Sequence, residues 1–303
     1  MNTNSILICG GTGFLGSALS KLLIQKGYSV TVLSRSTEKV VAMFGDSVEA
    51  ISSVANLPDS ASFKAVINLA GAGIFDQRWN EARKQLLRDS RIKLTEELVA
   101  WIAASAQPTP LFISGSAIGV YGDQGDKFLT EQSGSITDFS QQLCADWEAA
   151  ALEAEKFGSR VCLIRTGLVL SDNGGILKRM LLPFRFGLGG RMGNGRQWMS
   201  WIHLYDWLAI VEAMLEHAEM RGPYNATAPN PVNNQQFSSS LASALNRPML
   251  LPLPEKALKL LLGEMAALVL GSQRVVPERL IAQGFTFKYS QLDTALRDIL
   301  DKP

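Results

Sequence analysis

The stretch "ILICGGTGFLGSALSKLLIQKGYSVTVLSRST", residues 6–37, decides the fold of this chain. A short apolar run enters a cluster of glycines, a helical pattern follows, and a second apolar run ends at Ser34 and Arg35. Short apolar runs on either side of a helix predict two buried strands of one sheet. Strands joined by a helix run parallel, because the helix carries the chain back to the end at which the first strand began.

The glycine cluster predicts a nucleotide-binding loop. Its spacing fits G-x-G-x-x-G from Gly11 and an overlapping G-x-x-G-x-x-G from Gly10. The early glycines permit a sharp turn beside a pyrophosphate, Gly16 permits close packing of helix on strand, and the helix N-terminus attracts phosphate. A glycine turn without a ligand is the alternative. The candidate cofactor-binding residues of the loop are Gly10, Gly11, Thr12, Gly13, Phe14, Leu15 and Gly16.

The end of the second apolar run predicts which dinucleotide is bound. A carboxylate about 20 residues beyond the glycines would bind the ribose 2′-hydroxyl and favour NAD. This chain has Ser34, Arg35 and Ser36 there instead. A guanidinium can hold a 2′-phosphate through paired, charge-assisted hydrogen bonds, whereas a carboxylate would repel it. The sequence therefore predicts NADP(H) as the cofactor, and a solvated arginine at a strand end is the alternative.

The composition is typical of a globular enzyme. Of the 303 residues, 47% are hydrophobic and 19% are charged, and the net charge of +1 gives no general attraction to nucleic acid or acidic membranes. Three cysteines without zinc spacing and only two histidines predict no metal site and a reducing compartment. We expect no signal segment and no membrane span, and therefore a cytoplasmic protein.

Strand-like and helix-like segments alternate through the first half, which predicts an α/β fold with a Rossmann-like doubly wound parallel sheet. After Arg165 the sequence becomes rich in glycine and proline. We therefore expect residues 1–170 to form the NADP-binding domain and residues 171–303 a smaller α+β substrate-binding domain, segments of which could return to the sheet. The predicted strands are Ser5–Cys9, Ser29–Leu33, Ala65–Leu69, Leu111–Ser114 and Arg160–Arg165, and the predicted helical segments are Leu15–Gln25, Glu81–Ala104 and Phe139–Lys156.

Eight stretches carry a resemblance to known proteins. GGTGFLG (10–16), VINLAG (66–71), FISGSAIGVYG (112–122) and LIRTGLVL (163–170) occur in the order found in the extended short-chain dehydrogenase/reductase superfamily. The more specific stretches are NLAGAGIFDQRWNEARKQLLRDSR (68–91), WEAAA (147–151), LLPFRFGLGGRMGNGRQWMSWIH (181–203) and VVPERLIAQGF (275–285). With them the chain resembles the YfcH-type epimerase family, whose members bind NADP and are similar to nucleoside-diphosphate-sugar epimerases.

The resemblance implies roles for residues outside the glycine loop. One of them is Arg91, for which the alternative to a cofactor contact is an ion pair with Asp89 or Glu96 at the surface. The residues that the resemblance assigns to the cofactor are Ser34 and Arg35 at the adenosine end, Leu69, Ala70 and Gly71 after their strand, Arg91 on its helix, and Val169 beside the nicotinamide half.

The catalytic residues depart from the related families. Such reductases and epimerases use a serine near the fifth strand and a Tyr-x-x-x-Lys pair, in which the lysine lowers the pKa of the tyrosine so that the phenol can move a proton. Ser116 matches the serine, but the pair falls at Ser140 and Cys144. Tyr121 is a second catalytic candidate, although its place resembles that of a structural tyrosine. The proton-transfer group is therefore unassigned.

The glycine-rich loop Phe186–Gln197 is a candidate substrate surface. Arg185, Arg191 and Arg196 could hold an anionic small molecule such as a nucleotide-sugar phosphate, or could be exposed without a ligand. His203 could be a proton donor or a packed structural histidine.

These patterns predict an NADP(H)-dependent oxidoreductase or epimerase that acts on a small molecule. The alternative is a non-catalytic NADP(H)-binding regulator, related to cell division. Neither nucleic acid nor a membrane is expected as a partner, and both a monomer and a homodimer are open.

Overall fold

The computed structural model describes residues 4–58, 60–107 and 109–301. Short 3₁₀ turns connect several of the elements. The described strands are β1 (Ser5–Cys9), β2 (Ser29–Leu33), β3 (Val48–Ile51), β4 (Ala65–Asn68), β5 (Leu111–Ala117), β6 (Phe128–Leu129), β7 (Arg160–Thr166), β8 (Leu168–Leu170), β9 (Trp198–Met199), β10 (Trp201–His203), β11 (Gly222–Ala226), β12 (Val232–Asn233) and β13 (Arg274–Val275). The described helices are α1 (Phe14–Gln25), α2 (Thr37–Phe44), α3 (Glu81–Asp89), α4 (Ile92–Ala104), α5 (Phe139–Leu152), α6 (Gly175–Arg185), α7 (Leu204–Glu216), α8 (Asn234–Ala244), α9 (Glu255–Leu262), α10 (Ala267–Leu270), α11 (Glu278–Ala282) and α12 (Leu292–Leu300).

Seven strands form one parallel sheet in the order β3, β2, β1, β4, β5, β7, β11. The chain builds outward in one direction from β1 to β3 and then in the other direction from β4. The boundary between β1 and β4 is therefore the switch point at which doubly wound sheets bind their ligands. The predicted Rossmann-like sheet is confirmed.

Strand β1 has apolar side chains on both of its faces, and helices cover both faces of the sheet. Neighbouring residues of a strand point to opposite faces. Ile6 and Ile8 belong to the core cluster beneath α1 and α7, whereas Leu7 and Cys9 belong to the cluster beneath α4. All four are fully buried, so the unbroken apolar run follows from burial on both faces.

The chain after residue 170 contributes to two layers. Strand β11 returns to the main sheet beside β7, and α7 packs on the face that α1 covers. A separate core cluster lies among α6, α8 and α12 and forms the α+β part of the predicted fold. The N–H groups of Lys288 and Tyr289 each donate to the carboxylate of Asp206 at 2.9 Å, which ties the C-terminal segment to the start of α7. A domain boundary near residue 170 stays a prediction.

Several elements differ from the sequence-based expectation. The predicted helical segment Phe139–Lys156 is an α-helix only as far as Leu152 and continues as a 3₁₀ turn. The predicted helical segment Glu81–Ala104 is two helices, because the backbone leaves the helical path at Arg91, with φ −111° and ψ −58°. Strand β3 was not predicted, because four residues at the edge of a sheet are too few for a periodic pattern. None of the helices within the described ranges is long and apolar enough to span a bilayer.

Candidate nucleotide-binding cleft

The glycine loop between β1 and α1 is packed too closely for side chains. Gly10 has φ +81°, and a Cβ there would lie 2.9 Å from the backbone of Ala70. A Cβ on Gly16 would meet the carbonyl oxygen of Gly10. Gly10 and Gly16 therefore have structural reasons to be glycine, and their bare backbone leaves the carboxyl end of β1 open to a ligand.

The N-terminus of α1 offers backbone donors to that ligand. The helix has 12 residues, its N-cap is Gly13, and no side chain caps it. The first N–H groups of a helix have no partner inside the helix, and the helix dipole is positive at this end. A pyrophosphate fits both requirements, so the loop is suited to a dinucleotide.

The carboxyl end of β2 lies beside the same loop. The N–H of Ser34 donates to Ile51 at 3.0 Å, which fixes the turn, and Ser36 caps α2. Arg35 is exposed, and none of the ion pairs found among the described residues involves it. A guanidinium in this position is suited to the 2′-phosphate of an adenosine ribose.

A cavity of about 920 Å³ opens at the carboxyl ends of the central strands. Leu15, Leu69, Arg91 and Ser116 line it, so four predicted site residues meet there. Val169 does not line the cavity. Its side chain packs in the main core cluster, and the neighbouring Leu168 faces the cavity instead.

Arg91 is half-buried beside the cavity, with its guanidinium turned inward. It donates to the carbonyls of Leu87 and Ala72, each at 3.1 Å, and its guanidinium lies 5.4 Å from the ring of Trp147. Burial lowers its pKa. Arg91 does not form the alternative surface ion pair with Asp89, because Asp89 pairs with Lys93. A buried guanidinium that has no carboxylate partner among the described side chains is suited to an anion or to a carbonyl oxygen of a ligand.

Ser116 belongs to a buried polar network. Its hydroxyl donates to Oε1 of Glu148 on α5 at 2.6 Å. Arg165 on β7 donates to both oxygens of the same carboxylate, at 2.8 Å each. The Ser116 hydroxyl hydrogen is therefore committed to Glu148, and its oxygen is left with acceptor lone pairs toward the cavity.

Tyr121 lies behind this network and does not line the cavity. Its hydroxyl donates to Oδ1 of Asn225 at 2.7 Å and accepts from Arg165 at 2.9 Å. The side chain is 1% exposed, and burial raises its pKa. This position favours the structural role that its place in the sequence suggested, because the phenol cannot reach a ligand in the cavity.

The two positions of the absent Tyr/Lys pair do face the cavity. Ser140 and Cys144 both line it, one turn apart on α5. Burial is the main reason that the pKa of the Cys144 thiol is raised to about 12, with the charge of Glu148 acting in the same direction. The thiol is therefore protonated at neutral pH, and neither position supplies a strong acid or base.

The glycine-rich loop Phe186–Gln197 contributes amides rather than arginines to the cavity. Asn194 and Gln197 line it, whereas Arg185, Arg191 and Arg196 are exposed outside it. The backbone of the loop is fixed on the segment before α9, since the N–H of Gly193 donates to the carbonyl of Leu253 at 2.8 Å.

His203 is buried at the N-terminus of α7 rather than in the cavity. Its Nδ1 accepts from the N–H of Tyr205 at 3.0 Å, and its ring lies 4.0 Å from that of Tyr289. This is the packed structural histidine of the two alternatives.

Sequence reasoning missed Glu148 and Arg165. The signal was present, since Arg165 follows the buried run Val161–Ile164 and therefore needs a partner inside the protein. Its partner on α5 lies 17 residues away, and no local pattern connects the two. No cluster of three or more potential metal ligands occurs in the part of the chain that the structure describes.

The parallel sheet, its glycine loop and the cavity at the switch point define a Rossmann-type dinucleotide-binding protein. The model of the NAD dependent epimerase/dehydratase family matches residues 6–227, and a domain of unknown function, DUF1731, matches residues 253–299. The chain belongs to the NAD dependent epimerase/dehydratase family.

Similar proteins cover almost the whole chain. The epimerase family protein YfhF of Bacillus subtilis (strain 168) is 38% identical over 298 residues, 98% of each chain. The crystal structure of the human epimerase family protein SDR39U1 with NADPH is 32% identical, has a TM-score of 0.88, and is matched over 99% of this chain and 100% of that one. A nucleoside-diphosphate sugar epimerase from Corynebacterium glutamicum is 32% identical with a TM-score of 0.77, over 98% of this chain and 58% of that one.

Proposed function

We propose that this protein is an NADP(H)-dependent oxidoreductase or epimerase that acts on a small molecule. The observation that carries the proposal is the continuous cavity of about 920 Å³, which begins at Leu15 beside the glycine loop and extends past Ser116. A pocket at the switch point with convergent polar groups is where such folds bind cofactor and substrate together. The NADPH in the human relative supports the choice of cofactor.

The residues that would hold the cofactor follow from the geometry. The amides at the start of α1 bind the pyrophosphate, and Ser34 and Arg35 bind the 2′-phosphate. The turn from Leu69 to Gly71 and the half-buried Arg91 form the wall beside it. A Cβ on Gly71 would lie 2.7 Å from the Arg91 guanidinium, so a side chain there would displace that guanidinium.

Bound NADP(H) supplies the chemistry of hydride transfer at its nicotinamide. The protein's own contribution is to orient the substrate oxygen. Ser116 donates its only hydroxyl hydrogen to Glu148, so its oxygen accepts a hydrogen bond from a substrate hydroxyl. Ser140 adds a second hydroxyl to the cavity wall, at the place where related enzymes carry tyrosine.

A non-catalytic NADP(H)-binding regulator is the second candidate. Ser140 and the protonated Cys144 stand where related enzymes have the groups that move a proton. A protein that had exchanged these groups would still bind cofactor through the glycine loop. Its association with another protein would then change when NADPH binds.

The test has two stages. Titration of the purified protein with NADPH and NADH, followed by tryptophan fluorescence, is expected to show tighter binding of NADPH. Reduction of NADP⁺ is then screened with uncharged and charged alcohols, and Ser116→Ala is expected to slow turnover about tenfold, because the substrate hydroxyl loses the Ser116 oxygen as its hydrogen-bond acceptor. Binding of NADPH without any turnover favours the regulator, and binding of neither nucleotide contradicts both candidates.

The cytoplasmic location stays a prediction from the sequence. All three cysteines are free and buried, which agrees with a reducing compartment. Monomer and homodimer stay open.

A further inference from the structure

The proposed cofactor site leaves a large part of the cavity for a substrate, and the walls there are mainly apolar. They are built by the end of β5, by α5, by α6 and by the segment that contains α10. The apolar side chains from these elements are Ile118, Leu143, Ile176, Leu268 and Leu270. A ligand gains affinity from such walls by removing apolar surface from water, about 25 cal/mol per Å².

The charged groups of the cavity are mostly acidic. Its walls carry the carboxylates of Asp123, Asp138, Glu255 and Glu264. The cations on the walls are Arg91, which the cofactor site uses, and Lys259. The substrate part therefore has more negative than positive charge before the phosphates of a cofactor enter.

The cations in and around this part already have partners. Lys259 pairs with Glu255 at 2.6 Å, and Lys84, outside the cavity, pairs with Glu264 at 2.7 Å. Arg78 donates to the carbonyl of Leu260 at 3.2 Å. Lys259 and Lys84 would have to give up these ion pairs to clamp a further anion, and Arg78 lies outside the lining of the cavity.

Two of the four carboxylates, those of Asp123 and Asp138, are not paired with a cation among the described residues. Asp123 accepts from the N–H of Gly125 at 3.1 Å, and Asp138 caps α5 by accepting from the N–H of Gln141 at 2.7 Å. Neither carboxylate takes part in an ion pair with any residue of the described ranges. A phosphate brought into the cavity would meet these charges without a cation to neutralise it.

Resting on the proposed function, we infer that the substrate is an uncharged, mainly apolar alcohol or carbonyl compound, and not a nucleotide sugar. A nucleoside diphosphate is recognised by arginine and lysine clamps, which this part of the cavity lacks. An apolar alcohol uses both features that are present, since its body packs on Leu143 and Leu268 and its hydroxyl donates to the oxygen of Ser116. The corresponding ketone has no hydrogen to donate and binds through the apolar walls.

The experiment measures binding to the protein saturated with NADP⁺, so that a carbonyl probe is not turned over. The two probes are benzylacetone, an uncharged aromatic ketone, and UDP-glucose, and the readout is calorimetry. Benzylacetone is expected to bind at least about tenfold more tightly than UDP-glucose. Equal or tighter binding of UDP-glucose, or binding of neither probe, would overturn the inference.

A matched pair of variants locates the binding. Leu268→Asn puts an amide into the apolar wall and is expected to weaken benzylacetone about tenfold, whereas Leu182→Asn changes an exposed leucine outside the cavity and has no effect. Equal affinities of both variants for benzylacetone would contradict the assignment of the wall. Titration with NADPH is a separate readout, since failure of NADPH to bind refutes the proposed function, whereas normal NADPH binding with tight UDP-glucose binding refutes only this inference.

Discussion

Arg35 is the residue on which the choice of dinucleotide depends. It stands just beyond the end of β2, exposed, where an NAD-binding protein has a carboxylate. Arg35→Asp is therefore expected to weaken NADPH about 30-fold or more and NADH much less, since only NADPH carries the 2′-phosphate. Tryptophan fluorescence measures both affinities.

The control for that variant is Arg185→Asp, which makes the same charge change at an exposed arginine outside the cavity. It is expected to leave both affinities unchanged. If Arg35→Asp weakened NADPH and NADH to the same degree, the guanidinium would not be reading the 2′-phosphate.

At the scale of elements, one buried ion pair joins β7 to α5. The side chains of Arg165 and Glu148 are 11% and 9% exposed. Arg165→Met leaves the carboxylate buried without its cation, which is expected to reduce the free energy of unfolding by about 3–5 kcal/mol. Urea unfolding of the purified variant measures this change.

A second ion pair of α5, at the surface, offers a matched control. Arg88 on α3 pairs with Asp146 on α5, and these side chains are 34% and 48% exposed. Arg88→Met is expected to change the free energy of unfolding by less than about 1 kcal/mol, because water screens the pair. Similar losses in the two variants would mean that the Arg165 network does not hold α5 on the sheet.

For the molecule as a whole, stability is expected to fall as the pH rises above about 9. Burial raises the pKa of Cys144 from 9.0 to about 12 and that of Cys162 to about 11. Between the unfolded and folded pKa values the unfolded chain has lost a thiol proton that the folded chain keeps, so rising pH favours unfolding. Each thiol contributes a slope of at most about 1.4 kcal/mol per pH unit in its window.

Urea unfolding from about pH 8 to about pH 11 measures this loss of stability. Cys144→Ala removes one of the titrating groups and is expected to show a shallower fall over the same range. A fall as steep as that of the unchanged protein would mean that the Cys144 thiol is not protected from titration by burial.

The C-terminal residues are needed for the whole fold. Tyr289, Leu292, Ala295 and Leu296 are all buried in the cluster that α6 and α8 complete. A chain that ends at residue 252 would expose this cluster and is expected to lose cooperative thermal unfolding. Leu296→Ala is the milder test, with an expected loss of about 2–5 kcal/mol. A cooperative transition of the shortened chain at an unchanged temperature would contradict this.

The sequence by itself determined the sheet and the cofactor loop. The alternation of apolar runs and helices predicted the doubly wound sheet, and the spacing from Gly10 to Gly16 predicted the nucleotide loop. Both are local patterns, since a strand buried on both faces must be apolar and a loop without room for Cβ atoms must be glycine. The position of Arg35 was also predictable from a local pattern, because the apolar run of β2 shows where the strand ends. The cofactor it predicts agrees with the NADPH bound to the human relative.

The tertiary structure alone decided the substrate side of the cleft. It placed Tyr121 behind the Arg165 network and Val169 in the core. The cavity walls combine residues near position 120 with others between 255 and 273, which no local pattern relates. The charge balance of a pocket is a property of side chains that meet in space. It is therefore fixed only when the chain folds.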